Sequence, residues 1–250
     1  MKVTLIDYTG KGNPDEFYAA RLLAYTKNTR LTQGEETRQK IKNMPQAELD
    51  TELNYIANTL RSSWEFVEFT FEVQDVTRAF THQMVRTRTA SYAQQAQRVV
   101  GMAAFTSEKP DTVAANIHAS ALWDHTMDML RDTYSRLQGF GIPNQDCRGV
   151  LPTNVHTNII VKCNLRTFAD LCGKRINLRA QGEYERVMLA MRASVYDVMP
   201  WTKPFLEPER TATPELDALL RAQLGTASPI DQPKLNAALK ELDKLKGIWG

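Results

Sequence analysis

Arginine and glutamine side chains are concentrated between Val76 and Val100, in the stretch VTRAFTHQMVRTRTASYAQQAQRVV. Four guanidinium groups and four side-chain amides fall in this stretch, at Arg78, Arg86, Arg88, Arg98, Gln83, Gln94, Gln95 and Gln97. Guanidinium groups present a planar fork of donors that suits phosphate and carboxylate oxygens, and amides recognise the edges of planar rings. The combination predicts a pocket for an anionic, heteroaromatic ligand. A solvated basic helix face is the alternative that the composition of the stretch leaves open.

The order of residues in this stretch favours the pocket. Gln83 and Arg86 are one helical turn apart, so they share a face if the segment is helical. The run around Ser91, Tyr92 and Gln94 is neither apolar nor rich in glycine and proline. It therefore reads as polar structure that follows the helix, and not as a core strand or a flexible linker.

Arg175 is a further cation whose setting favours ligand binding. The segment that contains it reads as a helix with Phe168, Leu171 and Cys172 on the same face as Arg175. A charge at the rim of an apolar stripe is partly desolvated. Such a charge interacts more strongly with an opposing charge than a fully solvated one does.

Residues Arg86 to Arg98, RTRTASYAQQAQR, resemble the signature of the flavin-dependent thymidylate synthases. That signature reads Arg-His-Arg, seven residues, Ser, one residue and Arg, with Thr87 at the motif His and Ala96 at the motif Ser in this chain. The resemblance extends upstream through FVEFTFEVQDVTRAFTHQMV. Further downstream segments also resemble the family, at Arg148 to Pro152, Asn164 to Arg166 and Arg179 to Glu183.

The resemblance implies roles for individual residues. The residues implied to meet a pyrimidine nucleotide are Gln83, Arg86, Gln94, Gln95, Ala96, Gln97, Arg98, Arg148 and Arg175. The residues implied to meet FAD are Arg86, Thr87, Arg88, Asn164, Arg166 and Asp170. Arg175 is also implied to be catalytic, because the family assigns to this position the stabilisation of negative charge that develops on the pyrimidine ring.

The function that the resemblance implies is FAD-dependent transfer of a one-carbon unit from methylenetetrahydrofolate to C5 of a pyrimidine nucleotide monophosphate. The expected reaction converts dUMP to dTMP with NADPH as the reductant. The chain is therefore expected to be an enzyme, a flavin-dependent thymidylate synthase of the methyltransferase class. The family assembles its sites between the subunits of a homotetramer, and the same assembly with folate as a partner is expected here.

Two alternatives stay open. A related enzyme with shifted specificity would methylate or hydroxymethylate C5 of UMP or dCMP. A catalytically impaired homologue would bind nucleotide or flavin without turnover. Thr87 and Ala96 keep the first alternative open, whereas the arginines retained in two distant stretches argue against the second.

Composition argues against several other classes of protein. The formal net charge is +2, so charge-driven binding to nucleic acid is not expected. No apolar run reaches the length of a membrane span, and MKVTLIDYTG reads as a strand and a turn, so a cytoplasmic protein without a membrane partner is expected. Cys147, Cys163 and Cys172 form no Cys-x-x-Cys pair, so they are predicted to be small buried hydrophobes and not a metal or disulfide framework.

The resemblance implies an α+β fold of the flavin-dependent thymidylate synthase type, with a mostly antiparallel central sheet flanked by long helices. A catalytic domain is expected over residues 1–210, followed by a helical extension over residues 211–250. Alternation of apolar and polar residues predicts strands at Val3–Tyr8, Phe66–Val73 and Asn158–Cys163. Helical periodicity predicts helices at Gly34–Lys42, Gln46–Leu60 and Asp111–Leu137, and three further helices that begin at Asn13, Asn164 and Arg179. Apolar residues at a 4-3-4-3 spacing in the long helix predict packing on another helix or a subunit, at Trp123, Met127, Leu130, Tyr134 and Leu137.

Overall fold

The alternating run around Phe69 and Phe71 forms the longest strand in a computed structural model of the chain. The strands are β1 (Lys2–Tyr8), β2 (Glu68–Thr77), β3 (Ser91–Gln94) and β4 (His156–Asn164), in the sheet order β1-β2-β4-β3. Strand β3 pairs antiparallel with β4, with Tyr92 opposite Val161. The prediction of an α+β fold with a mostly antiparallel sheet is confirmed.

The structure describes residues 1–28, 34–59, 61–176 and 182–207, together with residues 232 and 236 individually. The predicted extension over residues 211–250 lies outside the described residues apart from those two, and so does the first part of the segment from Arg179 to Glu183. The helices are α1 (Tyr18–Lys27), α2 (Glu35–Lys42), α3 (Gln46–Ala57), α4 (Arg78–Met84), α5 (Asp111–Ala114), α6 (Ile117–Gly139), α7 (Asn144–Cys147), α8 (Leu165–Arg175), α9 (Gly182–Val198) and α10 (Lys203–Leu206).

The chain divides into two compact units. Unit 1 contains residues 1–4 and 71–162, and unit 2 contains residues 5–70 and 163–250. The boundary falls within β1, β2 and β4, so each of these strands contributes residues to both units. The division of the chain into residues 1–210 and 211–250 stays a prediction.

In unit 1, the predicted long helix is two helices. Asn116 interrupts it, because its side-chain oxygen accepts hydrogen bonds from the backbone N–H groups of His118 (3.0 Å) and Ala119 (3.1 Å) and so caps a new helix. Helix α6 contacts the short helices α5 and α7. The predicted seam along α6 is partly buried. It packs with Phe105 and Val155 in a cluster that also includes Met102, Trp123, Met127, Leu130 and Leu151.

In unit 2, the first helix begins later than predicted. Asn13 does not cap it, because the Asn13 side chain accepts from the N–H of Asp15 (2.9 Å) and Asp15 in turn accepts from Phe17 (3.0 Å). These local bonds form turns before α1 starts at Tyr18. Helix α2 forms where it was predicted, and α3 begins at Gln46 as predicted but ends at Ala57, before the predicted end at Leu60.

Aromatic side chains fill the core of unit 2. Phe69 of β2 packs on Phe168 of α8 with ring centroids 5.6 Å apart, and Trp64 meets Phe205 edge-on at 5.0 Å. Helix α9 buries Tyr184 and three aliphatic side chains, Val187, Met191 and Val195. Val198, at the end of the helix, is 41% exposed.

The three cysteines are free and buried, as predicted. Burial raises the pKa of the Cys172 thiol to about 12, and it raises the pKa of Cys163 further. Both thiols are therefore neutral at physiological pH and poor nucleophiles.

Candidate functional site

The arginine-rich stretch of unit 1 is held by hydrogen bonds on both sides of a turn. Thr77 caps α4, since its hydroxyl oxygen accepts from the N–H of Phe80 at 3.0 Å. After the helix, the Tyr92 hydroxyl shares its proton between the carbonyl oxygens of Met84 (2.8 Å) and Thr87 (2.9 Å). The turn that carries Arg86, Thr87 and Arg88 is thereby fixed between α4 and β3.

The predicted residues in this turn are accessible. Arg86 and Arg88 are exposed and Thr87 is half-buried. Arg86 lies beyond the end of α4, but its N–H still donates to the carbonyl oxygen of Gln83 at 3.2 Å, so the two residues stay one turn apart as predicted. No carboxylate of a described residue forms an ion pair with Arg86 or Arg88.

The loop after β3 carries the second group of predicted nucleotide-binding residues. The Gln94 amide donates to the Thr81 hydroxyl at 2.7 Å, and the Gln95 N–H donates to the carbonyl oxygen of Asn158 at 3.0 Å, which fixes the start of the loop. Ala96 and Arg98 are exposed, whereas the amide nitrogen of Gln97 is buried without a hydrogen-bond partner among the residues described. An orphaned buried donor of this kind is costly unless a ligand or water accepts from it.

Arg78 is a cation of the site that was not included in the predicted set. It is half-buried as the first residue of α4, and its pKa is lowered by burial and by the positive charge of Arg148. The two guanidinium groups repel each other, and neither forms an ion pair with a carboxylate within the part of the chain that is described, so an anionic ligand would suit them.

The position of Arg78 in the sequence carried a signal that was not used. A cation in the first turn of a helix is opposed by the helix dipole, which favours anions there. Arg78 follows directly on the Thr77 cap, so an unfavourable cation stands at a helix start. The first two N–H groups of α4 donate to the carbonyl oxygens of Val155 (3.1 Å) and Thr153 (2.9 Å), so the Arg78 side chain itself is what remains for an anion.

A polar cavity of about 290 Å³ lies beside the loop after β3, also within unit 1. Gln95, Phe105, His156 and Asn158 contribute to its lining. His156 Nε2 and the Thr157 hydroxyl oxygen are buried there without hydrogen-bond partners in the described structure, although Glu108 lies 3.5 Å from His156 Nε2. No periodicity or motif in the sequence points to this cavity.

In unit 2, the residues predicted to meet FAD surround the start of α8. Asn164 caps this helix as predicted, because its side-chain oxygen accepts from the N–H of Thr167 at 2.9 Å. Arg166 forms an ion pair with Glu65 at 2.7 Å, and Asp170 lies 3.4 Å from Arg61. All four charged side chains are about half exposed.

Arg175, the predicted catalytic residue, ends α8 and is half-buried at the rim of the predicted apolar stripe. Its guanidinium carbon lies 4.7 Å from the centroid of the Tyr184 ring. Burial raises the pKa of Tyr184, and the charge and hydrogen bond of Arg175 partly oppose that rise. The structure thus holds Arg175 against a neutral aromatic side chain.

The predicted residues divide between the units. Unit 1 holds Gln83, Arg86, Thr87, Arg88, Gln94, Gln95, Ala96, Gln97, Arg98 and Arg148, and unit 2 holds Asn164, Arg166, Asp170 and Arg175. Among the described residues, no group of three or more His, Cys, Asp or Glu side chains has an arrangement that suits a metal ion. No helix in the described ranges is both long and apolar enough to cross a membrane.

Comparisons with known proteins identify similar chains. A family model described as thymidylate synthase complementing protein matches residues 4–201. A flavin-dependent thymidylate synthase of Geobacter sulfurreducens is 36% identical over 142 residues, which cover 56% of this chain and 61% of that protein. A protein of the same name from Nitratidesulfovibrio vulgaris is 33% identical over 158 residues, which cover 58% of this chain and 64% of that protein.

A longer alignment is found with the flavin-dependent thymidylate synthase of Pyrococcus furiosus, which is 28% identical over 214 residues, covering 81% of this chain and 84% of that protein. With the Geobacter and Nitratidesulfovibrio relatives, by contrast, the matched part spans less than two thirds of the relative's length.

Proposed function

Because the chain belongs to the thymidylate synthase complementing protein family, we propose that it is a flavin-dependent thymidylate synthase. The proposed reaction transfers a one-carbon unit from methylenetetrahydrofolate to C5 of dUMP, with FAD as cofactor and NADPH as reductant. The names of its relatives support a flavin and a thymidylate product. The further details come from the resemblance of the motif around Arg86 and Arg98.

The observation that carries the proposal is the pair of Arg78 and Arg148. Both guanidinium groups lie in unit 1 without a carboxylate partner in its described residues, and Arg78 is partly desolvated. A phosphate monoester is a dianion at neutral pH, so it satisfies two adjacent guanidinium forks at once. We therefore assign the nucleotide phosphate to these arginines, with Arg98 and the Gln94–Gln97 loop as further donors.

The same loop explains how phosphate binding survives the change at Ala96. A side-chain hydroxyl at that position would add one hydrogen bond, and a neutral hydrogen bond contributes about 1 kcal/mol. The buried amide of Gln97, which has no hydrogen-bond partner among the described residues, remains as a donor, and backbone N–H groups of the loop after Gln95 would add to it. Ala96 therefore weakens the proposed site without removing it.

Activation of the pyrimidine is assigned to Arg175. C5 of uracil is a weak nucleophile, and it becomes competent when negative charge spreads over the ring and is stabilised at N3 and O4. A preorganised cation in a water-poor site stabilises such developing charge by roughly 3 kcal/mol. Arg175 suits this role because it is half-buried and is not ion-paired with a described carboxylate.

The burial of the cysteines agrees with an activation step that uses no enzyme nucleophile. Cys147, Cys163 and Cys172 are buried. Burial keeps the pKa of Cys172 near 12, so it is not a thiolate at physiological pH. A cysteine attack on the pyrimidine ring therefore has no suitable group among these three residues.

The side chains predicted to meet FAD fit its charges. Arg86 and Arg88 provide two exposed cations without carboxylate partners in the described structure, which suits a diphosphate. Arg166 and Asp170 are held in exposed ion pairs, and such pairs contribute only about 0–1 kcal/mol, so a ligand can displace them at little cost. When bound, FAD supplies the hydride that completes the methyl group.

A homotetramer is part of the proposal, and α6 supports it. This helix exposes Leu122 (67%) and Met129 (57%), and Phe140 after the helix is 78% exposed. Leu122 and Met129 are two turns apart on one side of the helix, where exposed apolar side chains suit a subunit interface. The use of folate and NADPH and the cytoplasmic location also stay proposals.

A second candidate function is a C5 methylase or hydroxymethylase acting on UMP or dCMP. The observation that favours it is the replacement of the motif His and Ser by Thr87 and Ala96. These substitutions alter the motif in the turn and the loop that the proposal assigns to flavin and nucleotide. The shape of the pocket around the sugar and the exocyclic group would decide between the substrates.

Two experiments test the proposed function. Purified protein titrated with FAD should quench flavin fluorescence, and C5-tritiated dUMP, UMP and dCMP should be compared for tritium release with methylenetetrahydrofolate and NADPH. The proposal expects FAD binding and release from dUMP. Release from UMP or dCMP instead would establish the second candidate, and no FAD binding would reject both.

A further inference from the structure

Two arginine–tyrosine pairs in unit 2 differ in what else touches the arginine. Arg175 at the end of α8 lies over the ring of Tyr184, with 4.7 Å between the guanidinium carbon and the ring centroid. Arg192 lies near the ring of Tyr196, at 5.8 Å, in the middle of α9. The second pair includes a carboxylate, because Glu207 Oε1 is 3.1 Å from Arg192 and accepts from the Tyr196 hydroxyl at 3.0 Å.

Arg192 and Glu207 form a charge-neutral pair within this cluster. The guanidinium is only 11% exposed and is matched by the Glu207 carboxylate, so Arg192 keeps no uncompensated charge for a ligand, although Lys203 also lies over the Tyr196 ring at 5.7 Å. Burial and, after it, the Glu207 carboxylate raise the pKa of Tyr196, so the phenol stays neutral within the cluster. This arrangement is that of a structural ion pair.

The Arg175 pair keeps its positive charge. Tyr184 is fully buried and accepts a hydrogen bond from the Arg175 guanidinium. Burial is the largest influence on its pKa and raises it, so the phenol is neutral and does not cancel the charge of the guanidinium. The ring face and the hydroxyl together restrict Arg175, and a guanidinium has more N–H donors than one hydroxyl can accept from.

We propose that Tyr184 is the positioning residue for Arg175, holding the guanidinium in place with a neutral ring and hydroxyl so that its full charge faces the pyrimidine anion. The inference rests on the proposed function, because it assumes that Arg175 meets the ring of the nucleotide. A carboxylate in place of Tyr184 would hold the arginine equally well but would neutralise it. An aliphatic side chain would keep the charge but would not fix its direction.

The test compares three variants of the full chain loaded with FAD. Tyr184→Phe removes the hydrogen bond and keeps the ring, Tyr184→Leu removes both, and Tyr196→Phe is the matched control in the neutral cluster. For each variant, the dissociation constant of dUMP, the single-turnover rate of C5 exchange at saturating dUMP and the thermal midpoint are measured. If Tyr184 positions Arg175, its substitution should lower the exchange rate and leave the dUMP dissociation constant nearly unchanged.

The expected exchange rate falls by about 3- to 30-fold in Tyr184→Leu, which is the range that cation–aromatic contacts span. Tyr184→Phe should lose less, about 2- to 5-fold, because only the hydrogen bond is missing. The dUMP dissociation constant should change little in both. Tyr196→Phe should lower the thermal midpoint without changing the exchange rate.

A double-mutant cycle separates the inference from the proposed function. If Tyr184 acts through Arg175, Tyr184→Phe should have no further effect on exchange in the Arg175→Ala background. If Arg175→Ala itself exchanges normally at saturation, the role assigned to Arg175 is wrong. If Arg175→Ala is impaired but Tyr184→Phe and Tyr184→Leu both match the parent, only the positioning role is rejected. Should Tyr184→Leu not fold, the isosteric Tyr184→Phe decides, because a parental exchange rate in that variant overturns the inference.

Discussion

Two groups of arginines, one in each unit, have different surroundings. In unit 1, Arg78, Arg86, Arg88, Arg98 and Arg148 form no ion pair with a carboxylate among the residues described, and Arg78 is desolvated beside Arg148. At the start of α8 in unit 2, by contrast, Arg166 and the neighbouring Arg61 are each matched by a carboxylate. The first group is available to bind an anionic ligand, whereas the arginines of the second group are already neutralised by carboxylates.

Pairing with a carboxylate, and not exposure, distinguishes the two sets. Arg86 and Arg148 are exposed, and so are Arg61 and Arg166. An exposed ion pair contributes little to stability. Guanidinium groups without carboxylate partners repel one another, and a bound anion offsets that repulsion. The unpaired arginines are therefore a better indicator of a binding function than the paired ones.

Among the substitutions proposed, removal of the unpaired charge at Arg175 should have the largest effect on the rate of C5 exchange. Arg175→Ala should lower C5 exchange at saturating dUMP by about 100-fold, because a cation that stabilises developing charge contributes roughly 3 kcal/mol. Arg175→Lys should recover little of the rate, since a point charge does not reproduce the planar fork. Single-turnover exchange on both variants measures this.

The control for this prediction is Arg136→Ala, because Arg136 is exposed and lies 3.6 Å from Asp132 on α6. It should exchange like the parent. If Arg175→Ala binds dUMP far more weakly but exchanges normally once saturated, Arg175 is a binding residue and not the activating one.

Arg98→Ala should act on binding instead of on chemistry. The charge of the phosphate is constant along the reaction, so loss of one charge-assisted contact should raise the dUMP dissociation constant by about 10- to 100-fold. The exchange rate at saturation should stay close to the parental value. A normal dissociation constant in equilibrium titration would remove Arg98 from the phosphate site.

Several parts of this arrangement could be predicted from sequence because they depend on local chemistry. Asn164 was predicted to start a helix, and it does so through the hydrogen bond expected of a capping asparagine. The polar and basic character of residues Val76 to Val100 predicted a ligand-binding segment, and the turn that exposes Arg86 and Arg88 is consistent with that prediction.

Other parts could not be predicted, because they depend on competition between neighbouring bonds or on distant packing. Asn116 interrupts a helix that the apolar spacing made continuous, since its side chain captures two N–H groups. The electrostatic interaction of Arg78 with Arg148 depends on tertiary structure, because the two residues are far apart in the sequence and no spacing pattern relates them. The pairing of Arg166 with Glu65 is equally non-local.

Breaking an ion pair in unit 2 should have a small effect. Glu65→Gln removes the partner of Arg166, so the free energy of unfolding should fall by no more than about 1 kcal/mol. FAD affinity should stay level or rise slightly, because Arg166 no longer has a competing carboxylate. A large fall in FAD affinity, measured by fluorescence quenching, would show that Glu65 itself contacts the flavin.

The buried thiols should show the smallest effect of all. The Cys172 pKa of about 12 and the burial of all three cysteines predict no reaction of the native protein with iodoacetamide near neutral pH. Unfolding in guanidinium should make all three reactive. Rapid alkylation of the native protein, read by mass spectrometry, would contradict the burial of these side chains.

The most direct test of the phosphate site compares a nucleotide with its nucleoside. Equilibrium titrations of the parent, Arg78→Ala and Arg148→Ala with dUMP and with deoxyuridine isolate the contribution of the phosphate. The unpaired arginines predict that each substitution raises the dUMP dissociation constant by about 10- to 100-fold and leaves that of deoxyuridine unchanged. An unchanged dUMP affinity, or an equal loss for both ligands, would contradict the assignment of Arg78 and Arg148 to the phosphate.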